Sequence, residues 1–316
     1  MNNGYAIFLN DDGTETKLSW DELKLEENGK KYHYKADRIT DKEIEKGAFE
    51  YLLSWSTIKE ICIPKGVEHI GHGAFYRCNQ LEKVILPSTL KKIEGSAFHE
   101  TAIEEIDIPD GVERIEEGVF SQCKRLKKAT LPSTLKEICG ELFIGSGIRE
   151  INIPEGVENV YYRAFERCEQ LEKVTLPSTL KKIYGSAFRG SGIKKIVIPE
   201  GTEYIELAVF DKCNQLEEVF LPSTIKEIGP ENFEIPKLKK VIVPNKEIKD
   251  QVPISLFYMR VIKKNNQSKL QTFLNEYKKQ KEKEIERDKT PLFIFPNQNK
   301  LISIISYLLI ERKEII

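Results

Sequence analysis

The chain has 316 residues, of which 40% are hydrophobic and 31% charged, with a formal net charge of −1 at pH 7. This length and composition allow a substantial core and exclude a disordered or collagen-like chain. Because binding to nucleic acid needs a clustered cationic surface, the balanced charge gives no reason to expect a nucleic-acid partner. The charge is nevertheless divided: residues 245–316 carry 15 Lys/Arg against 9 Asp/Glu, a net +6, and the first 244 residues are net −7.

The first residues lack the basic stretch, apolar run and cleavage site of a signal peptide. The longest apolar stretch lies within residues 301–310, and it is about half of the roughly 20 residues that a spanning helix needs. We therefore expect no transmembrane segment. A cytoplasmic location is favoured unless a signal has been removed or export is non-classical.

Residues 1–38 are predicted to form an N-terminal β cap on the segment that follows. Asn28-Gly29 separates two segments with apolar alternation, residues 23–25 and 32–34. An Asn-Gly pair between alternating segments is the strongest short-range signal for a hairpin. We therefore predict a hairpin that turns at this pair.

Residues 39–245 repeat themselves every 45 residues. Nine prolines mark the period with alternating spacings of 23 and 22: Pro64, Pro87, Pro109, Pro132, Pro154, Pro177, Pro199, Pro222 and Pro244. A fixed period of this length is typical of a solenoid, whose units bury their apolar faces by stacking. We therefore predict an α/β solenoid that is mostly β, built from 22- and 23-residue units.

Each unit opens with a short strand that a proline ends. In residues 81–87, the run from Lys83 to Leu86 fits the period of two of a short strand, with Val84 and Leu86 facing inward. Pro87 cannot donate to a sheet and favours a turn. A second apolar pair follows, and then a phenylalanine at the same spacing: Phe75, Phe98, Phe120, Phe143, Phe165, Phe188, Phe210 and Phe233. Stacked copies place these rings in a continuous core ladder, and each ring contributes about 1.5–3 kcal/mol of burial.

The string Ile-Pro-x-Gly-Val-Glu-x-Ile, followed by Gly-Ala-Phe-x-x-Cys-x-x-Leu and x-x-Val-x-Leu-Pro, resembles the BspA-like branch of the leucine-rich repeats. The resemblance covers residues 39–245 and recurs in register through eight proline-to-proline intervals. It implies a leucine-rich-repeat stack with a parallel sheet. It also implies a non-enzymatic module that binds other macromolecules, frequently in adhesion at bacterial surfaces and in host interaction, with no shared catalytic residues.

Four cysteines, Cys78, Cys123, Cys168 and Cys213, recur every 45 residues. Stacked strands lie about 4.8 Å apart, so equivalent cysteines two units apart are on the order of 10 Å from each other. This separation prevents a disulfide, whose Cα atoms lie about 4.4–6.8 Å apart, and it prevents a shared zinc ion. We expect these cysteines to be small buried hydrophobes behind the phenylalanines. Cys62 breaks the pattern and is expected to point outward as a reactive thiol.

No constellation of catalytic or metal-ligating residues stands apart from the repeat. His69, His72 and His99 lie in strand and turn segments, without the further converging ligands that zinc needs. The Gly-Ser-Gly triplets at 145–147 and 190–192 lack the lysine and helix of a phosphate loop and are predicted to be turns. We therefore expect no enzyme, no metal and no cofactor.

Two outward rows carry charges that alternate along the predicted stack, nearly perfectly in the first row. The first row, on the strand that precedes the proline, runs Glu60, Lys83, Glu105, Lys128, Glu150, Lys173, Lys195, Glu218 and Lys240. The second row alternates without exception through Glu68, Lys91, Glu113, Lys136, Glu158, Lys181, Glu203 and Lys226. Because opposite charges on neighbouring strands attract, these rows distinguish correct stacking from slipped stacking.

A third outward row, here called the variable row, follows no residue type. It runs Cys62, Ile85, Asp107, Thr130, Asn152, Thr175, Val197, Phe220 and Ile242. Positions that a solenoid scaffold leaves free can carry recognition. The predicted partner-binding residues are Ile85, Asp107, Thr130, Asn152, Thr175, Val197, Phe220 and Ile242. The last three would form an exposed apolar strip, covered either by a partner protein or by the chain's own C-terminal segment.

Residues 246–316 are predicted to be a helical cap or tail. A capping box at 268–271 starts a helix over about 269–288, and a second helix with a broad apolar surface spans 301–312. This surface packs on the last repeats or on the first helix, or else it serves dimerisation or docking to a membrane surface. The alternative function is thus an assembly protein that oligomerises through these helices. Otherwise we expect a monomer or weak homo-oligomer.

Overall fold

The computed structural model describes residues 4–10, 13–25, 38–48 and 58–242. They form a mostly β, parallel solenoid of about eight turns, with one helix among the described residues. Two rows of short parallel strands run along the stack. The predicted helices at 269–288 and 301–312 lie outside the described residues, as does the Asn28-Gly29 pair.

The N-terminal part contains strands β1 (Tyr5–Leu9) and β2 (Glu15–Ser19) and helix α1 (Trp20–Leu25). Strand β1 pairs antiparallel with β2 on one side and with β4 (Ile58–Cys62) on the other, so it extends the edge of the first strand row. A hairpin is therefore present within residues 1–38, but it joins β1 to β2.

The strand predicted at residues 23–25 is wrong, because these residues end helix α1. Ser19 starts this helix with a capping box: its backbone N–H and its hydroxyl each donate to Glu22 Oε2 at 2.7 Å. The Glu22 amide donates back to Ser19 Oγ at 3.3 Å. This reciprocal pair satisfies donors at the helix start and decides the local structure in favour of a helix.

The first strand row lies just before the prolines. After β4 it contains β6 (Lys83–Ile85), β8 (Glu105–Asp107), β10 (Lys128–Thr130), β12 (Glu150–Asn152), β14 (Lys173–Thr175), β16 (Lys195–Val197), β18 (Glu218–Phe220) and β20 (Lys240–Ile242). The second row consists of two-residue strands: β3 (Glu43–Ile44), β5 (His69–Ile70), β7 (Lys92–Ile93), β9 (Arg114–Ile115), β11 (Glu137–Ile138), β13 (Asn159–Val160), β15 (Lys182–Ile183), β17 (Tyr204–Ile205) and β19 (Glu227–Ile228).

The pairing register of the first strand row places opposite charges side by side. Lys128 pairs with Glu105 on one side and with Glu150 on the other, and Glu218 pairs with Lys195 and Lys240. In the second charge row, the backbone amides of Lys91, Glu113, Glu158, Lys181, Glu203 and Lys226 each donate to the carbonyl oxygen of the preceding row member, as when Lys226 N donates to Glu203 O at 2.8 Å. These pairings confirm the predicted neighbours at the positions that they join.

The phenylalanine ladder lies in the core as predicted. Consecutive rings from Phe75 to Phe233 stack with centroids 5.1 to 6.4 Å apart and planes within 21° of parallel. Val84 is buried at 7% exposure, and Leu86 packs against the core from a partly buried position. The inward-facing side chains of both strand rows close around these rings.

The repeating cysteines are buried, and hydrogen bonds of Cys123, Cys168 and Cys213 join their units to the preceding ones. The Sγ atoms of Cys123, Cys168 and Cys213 each donate to the carbonyl oxygen of a phenylalanine 25 positions earlier, at 3.0 Å in every case. A buried hydroxyl, from Thr101, Ser146 or Ser191, lies 3.3 to 3.5 Å from the sulfur. These cysteines thus connect successive units, beyond the apolar packing that the sequence predicts.

The Gly-Ser-Gly triplets permit a close approach between units. The Gly147 amide donates to Cys123 O at 3.1 Å, and a Cβ atom at Gly147 would lie 2.1 Å from Lys124 O. Gly192 repeats this contact, with its amide 3.1 Å from Cys168 O and its Cβ position 2.2 Å from Glu169 O. A side chain at the third position of these two triplets would therefore meet the backbone of the neighbouring unit where it now lies.

We predict that Gly147→Ala lowers the free energy of unfolding by about 2–3 kcal/mol, because the methyl group forces the neighbouring backbone to move. Ala102 occupies the equivalent place 45 positions earlier, so the unit can rebuild around a methyl group and the protein still folds. The control is Gly185→Ala, where φ is not positive and the added Cβ would lie no closer than 3.4 Å to a neighbouring atom, Leu207 O. Denaturant unfolding checks both variants, and equal losses would contradict the close-approach argument.

Candidate functional site

The variable row lies on the outer surface of the first strand row, one residue per strand. From Asp107 to Thr175 its side chains are exposed, and the parallel pairs Asp107–Thr130 and Asn152–Thr175 place them side by side. Thr130 Oγ1 donates to Asp107 Oδ1 at 2.6 Å. The middle of the row is therefore a polar surface, whereas Ile85 nearer the N-terminal end is partly buried.

The prediction that Cys62 points outward as a reactive thiol is wrong. Its side chain is 1% exposed. Strand β1 extends the edge of the first row here, and Tyr5 pairs with Cys62. The accessible part of the variable row therefore begins at Ile85.

The C-terminal end of the row is an apolar strip formed by Val197, Phe220 and Ile242. These residues are direct neighbours in the parallel pairing of β16, β18 and β20. Val197 is 56% exposed and Ile242 36% exposed, while Phe220 between them is half-buried. The structure thus brings the three predicted apolar residues together on one surface.

Lysines from both neighbouring strands lie over the ring at the centre of the strip. Lys195 Nζ is 4.7 Å from the Phe220 ring centroid, and Lys240 Nζ is 5.2 Å from it. Lys195 also lies 3.5 Å from Glu218. Phe220 is therefore an apolar surface framed by two ammonium groups, at distances where a cation and an aromatic face attract each other.

A second exposed aromatic surface was not predicted from the sequence. On the second strand row and the turn after it, the Tyr161 and Tyr184 rings stack 4.6 Å apart, and Tyr162, Tyr204 and Leu207 are 44%, 37% and 53% exposed. Burial raises the pKa of Tyr161, and a hydrogen bond from Tyr162 to Glu117 raises the pKa of that tyrosine to about 12. The signal in the sequence was tyrosine at the equivalent positions 161 and 184, where other units have Glu94, Glu116 and Glu206, and at 204, where the preceding unit has Lys182.

The described residues contain no group of three or more His, Cys, Asp or Glu side chains that could hold a metal ion. Of the histidines, His99 stacks on Tyr76 with the ring centroids 4.7 Å apart. Within residues 4–10, 13–25, 38–48 and 58–242, no helix has both the length and the apolar character that crossing a bilayer requires.

A model of the BspA type leucine rich repeat region matches six copies in this sequence, over residues 42–172 and 141–258. The chain belongs to the BspA-type leucine-rich repeat family. The match agrees with the proline-marked units and with their stacked parallel strands. The family model indicates a repeat scaffold and no catalytic family. No curated protein matches this BspA-type chain.

Solved structures with a similar fold come from bacteria. A leucine-rich repeat protein from Bacteroides ovatus is 28% identical with a TM-score of 0.55, and the alignment covers 65% of this chain and 59% of that protein. The T. pallidum leucine rich repeat protein TpLRR is 29% identical with a TM-score of 0.44, over 47% of this chain and 69% of that one. The BspA-type chain thus spans less than two thirds of the length of the Bacteroides protein.

Proposed function

We propose that this chain is a non-enzymatic binding module that recognises a protein partner through the outer surface of the first strand row. The apolar strip of Val197, Phe220 and Ile242 carries this proposal. Membership of a leucine-rich repeat family is consistent with a protein-binding repeat module.

The physical argument compares the strip with the rest of the same surface. Neighbouring units place Thr130, Asn152 and Thr175 at the equivalent position, so the scaffold does not require an apolar residue there. Keeping Val197 at 56% exposure and Ile242 at 36% leaves apolar area in water that a partner could bury. Contiguous exposed apolar residues with a polar surround are typical of protein contact sites, and a central aromatic residue commonly carries much of the binding energy.

We expect Phe220→Glu, alone or with Ile242→Glu, to weaken partner binding by roughly 30-fold or more, as loss of a central aromatic residue does at protein interfaces. The substitution should change the free energy of unfolding by no more than about 1 kcal/mol, as is usual for surface positions. The introduced carboxylate would lie between Lys195 and Lys240, whose positive charges favour it. Wild-type and variant proteins are immobilised, and the proteins that each one retains are compared. The affinity of each recovered partner for each variant is then measured by titration.

Thr175→Glu is the matched control, because it places the same carboxylate in the same row but away from the strip. Partners retained by the wild type and by Thr175→Glu but not by Phe220→Glu would support the proposal. If the affinity of the partners is unchanged by Phe220→Glu and Ile242→Glu, the binding surface lies elsewhere on the solenoid and the proposal is wrong. Denaturant unfolding of each variant separates loss of binding from loss of fold.

A further inference from the structure

The strip lies within a cationic part of the surface. The second and third residues before each strip position are charged: lysine pairs at Lys194–Lys195 and Lys239–Lys240 and a glutamate pair at Glu217–Glu218, a net charge of +2. Lys239 lies 2.6 Å from Glu217, and Lys194 lies 3.4 Å from Glu172. Lys240 makes no ion pair among the residues that the structure describes, although its ammonium lies 5.2 Å from the Phe220 ring centroid.

Any partner that covers Phe220 must also cover the ammonium groups beside it. Lys195 and Lys240 come from the two strands that flank the ring, so burial of the ring removes water from both. Burying an ammonium group without a compensating anion is costly. Lys195 has Glu218 at 3.5 Å, so the requirement for an external anion is strongest at Lys240.

We infer that the partner is an acidic protein segment that places apolar side chains on Val197, Phe220 and Ile242 and carboxylates against Lys195 and Lys240. This inference rests on the proposed function and specifies the partner of the same surface. Neighbouring strands are about 4.8 Å apart, so the strip is on the order of 10 Å long and fits two or three apolar side chains of a polypeptide.

Charge argues against the two other occupants of the strip. The chain's own segment from 245 to 316 is net +6, so it would bring further positive charge to a cationic surface. A second copy that docked through the same strip would set its own Lys195 and Lys240 against the first pair, because a two-fold interface presents identical surfaces. An acidic segment is complementary to both the apolar strip and the lysines.

A random peptide library displayed on phage provides the test. Selection uses the wild-type protein and, in parallel, Phe220→Ser, which removes the ring and keeps both lysines. We expect peptides that are enriched on the wild type and lost on Phe220→Ser to combine apolar residues with an excess of Asp and Glu. Affinities of the enriched peptides should fall roughly tenfold or more in the double variant Lys195→Gln/Lys240→Gln, because the carboxylates lose their partners. Lys128→Gln, in the same charge row but away from the strip, should leave these affinities unchanged.

The possible results separate this inference from the proposed function. Peptides that depend on Phe220 but lack an acidic excess, or that bind the lysine variant equally well, would overturn the inference and leave the binding surface standing. A selection with no Phe220-dependent peptide would overturn both. Phosphatidylglycerol vesicles form a second arm: vesicle binding that requires the lysines, together with Phe220-dependent peptides without acidic excess, would assign the surface to a membrane instead.

Discussion

Replacing Phe143 with alanine is expected to lower the free energy of unfolding by about 3–5 kcal/mol, which is typical for removal of a buried aromatic ring. Phe143 lies in the middle of the ladder, with the Phe120 and Phe165 ring centroids each 5.5 Å away, and it is completely buried. Each unit of a solenoid contacts only its neighbours. Alanine at this position therefore weakens the connection between the two halves of the stack.

Phe220→Ala is the matched control for this loss, because it removes the same ring from a half-buried position on the outer surface. Its expected cost is about 1 kcal/mol or less, as for most surface substitutions. Denaturant unfolding measures both variants. Similar losses would show that the ladder contributes no more than an exposed ring, which would contradict its place as the centre of the core.

Raising the pH above about 9 is expected to destabilise the protein steeply through its buried thiols. Burial raises the pKa of Cys123 and Cys213 to about 11 and that of Cys168 to about 12, from an ordinary value of 9.0. The unfolded chain releases these protons first, so their contribution to stability is fully present below pH 9 and is lost as the pH rises toward the folded-state values. Each thiol lowers stability by about 1.4 kcal/mol per pH unit within this range.

Unfolding in denaturant at a series of pH values, with a reductant present, checks this dependence. Cys168→Ser is the control, because a hydroxyl can still donate to the Phe143 carbonyl but does not ionise in this range. We expect the free energy of unfolding of this variant to fall less steeply with pH, by about 1.4 kcal/mol per pH unit, because one thiol proton fewer is released on unfolding. An unchanged slope would show that other groups, such as tyrosines or lysines, dominate the alkaline loss.

The periodic part of the fold could be predicted from sequence because one physical requirement recurs at every unit. Phe143 and its equivalents must stack, and Lys128 must meet Glu105 and Glu150, so each unit repeats the signal of the last. The hydrogen bonds of the cysteines were missed because a buried thiol and a small apolar side chain produce the same pattern in a sequence.

The non-periodic parts were harder to predict because each occurs once. The capping box between Ser19 and Glu22 competes with the alternation of residues 23–25, and only the observed hydrogen bonds decide between helix and strand. Cys62 has the same place in its unit as Ile85. Of these two residues, only Cys62 pairs with strand β1, which extends the edge of the sheet. The strip of Val197, Phe220 and Ile242 was predictable as a surface, whereas the lysines over its ring depend on side-chain positions.

Successive units differ in the charge of their first-row residue and in whether they carry a thiol donor. This difference limits how the number of units in such a chain can change. Thiol donors recur every 45 residues, and glutamate faces lysine across most successive first-row strands. Loss of a single unit in this alternating region would bring like charges together and would leave a thiol without its hydroxyl neighbour. Loss or duplication of two adjacent units would restore both patterns. Evolution of the array by recombination is therefore expected to proceed in steps of two units.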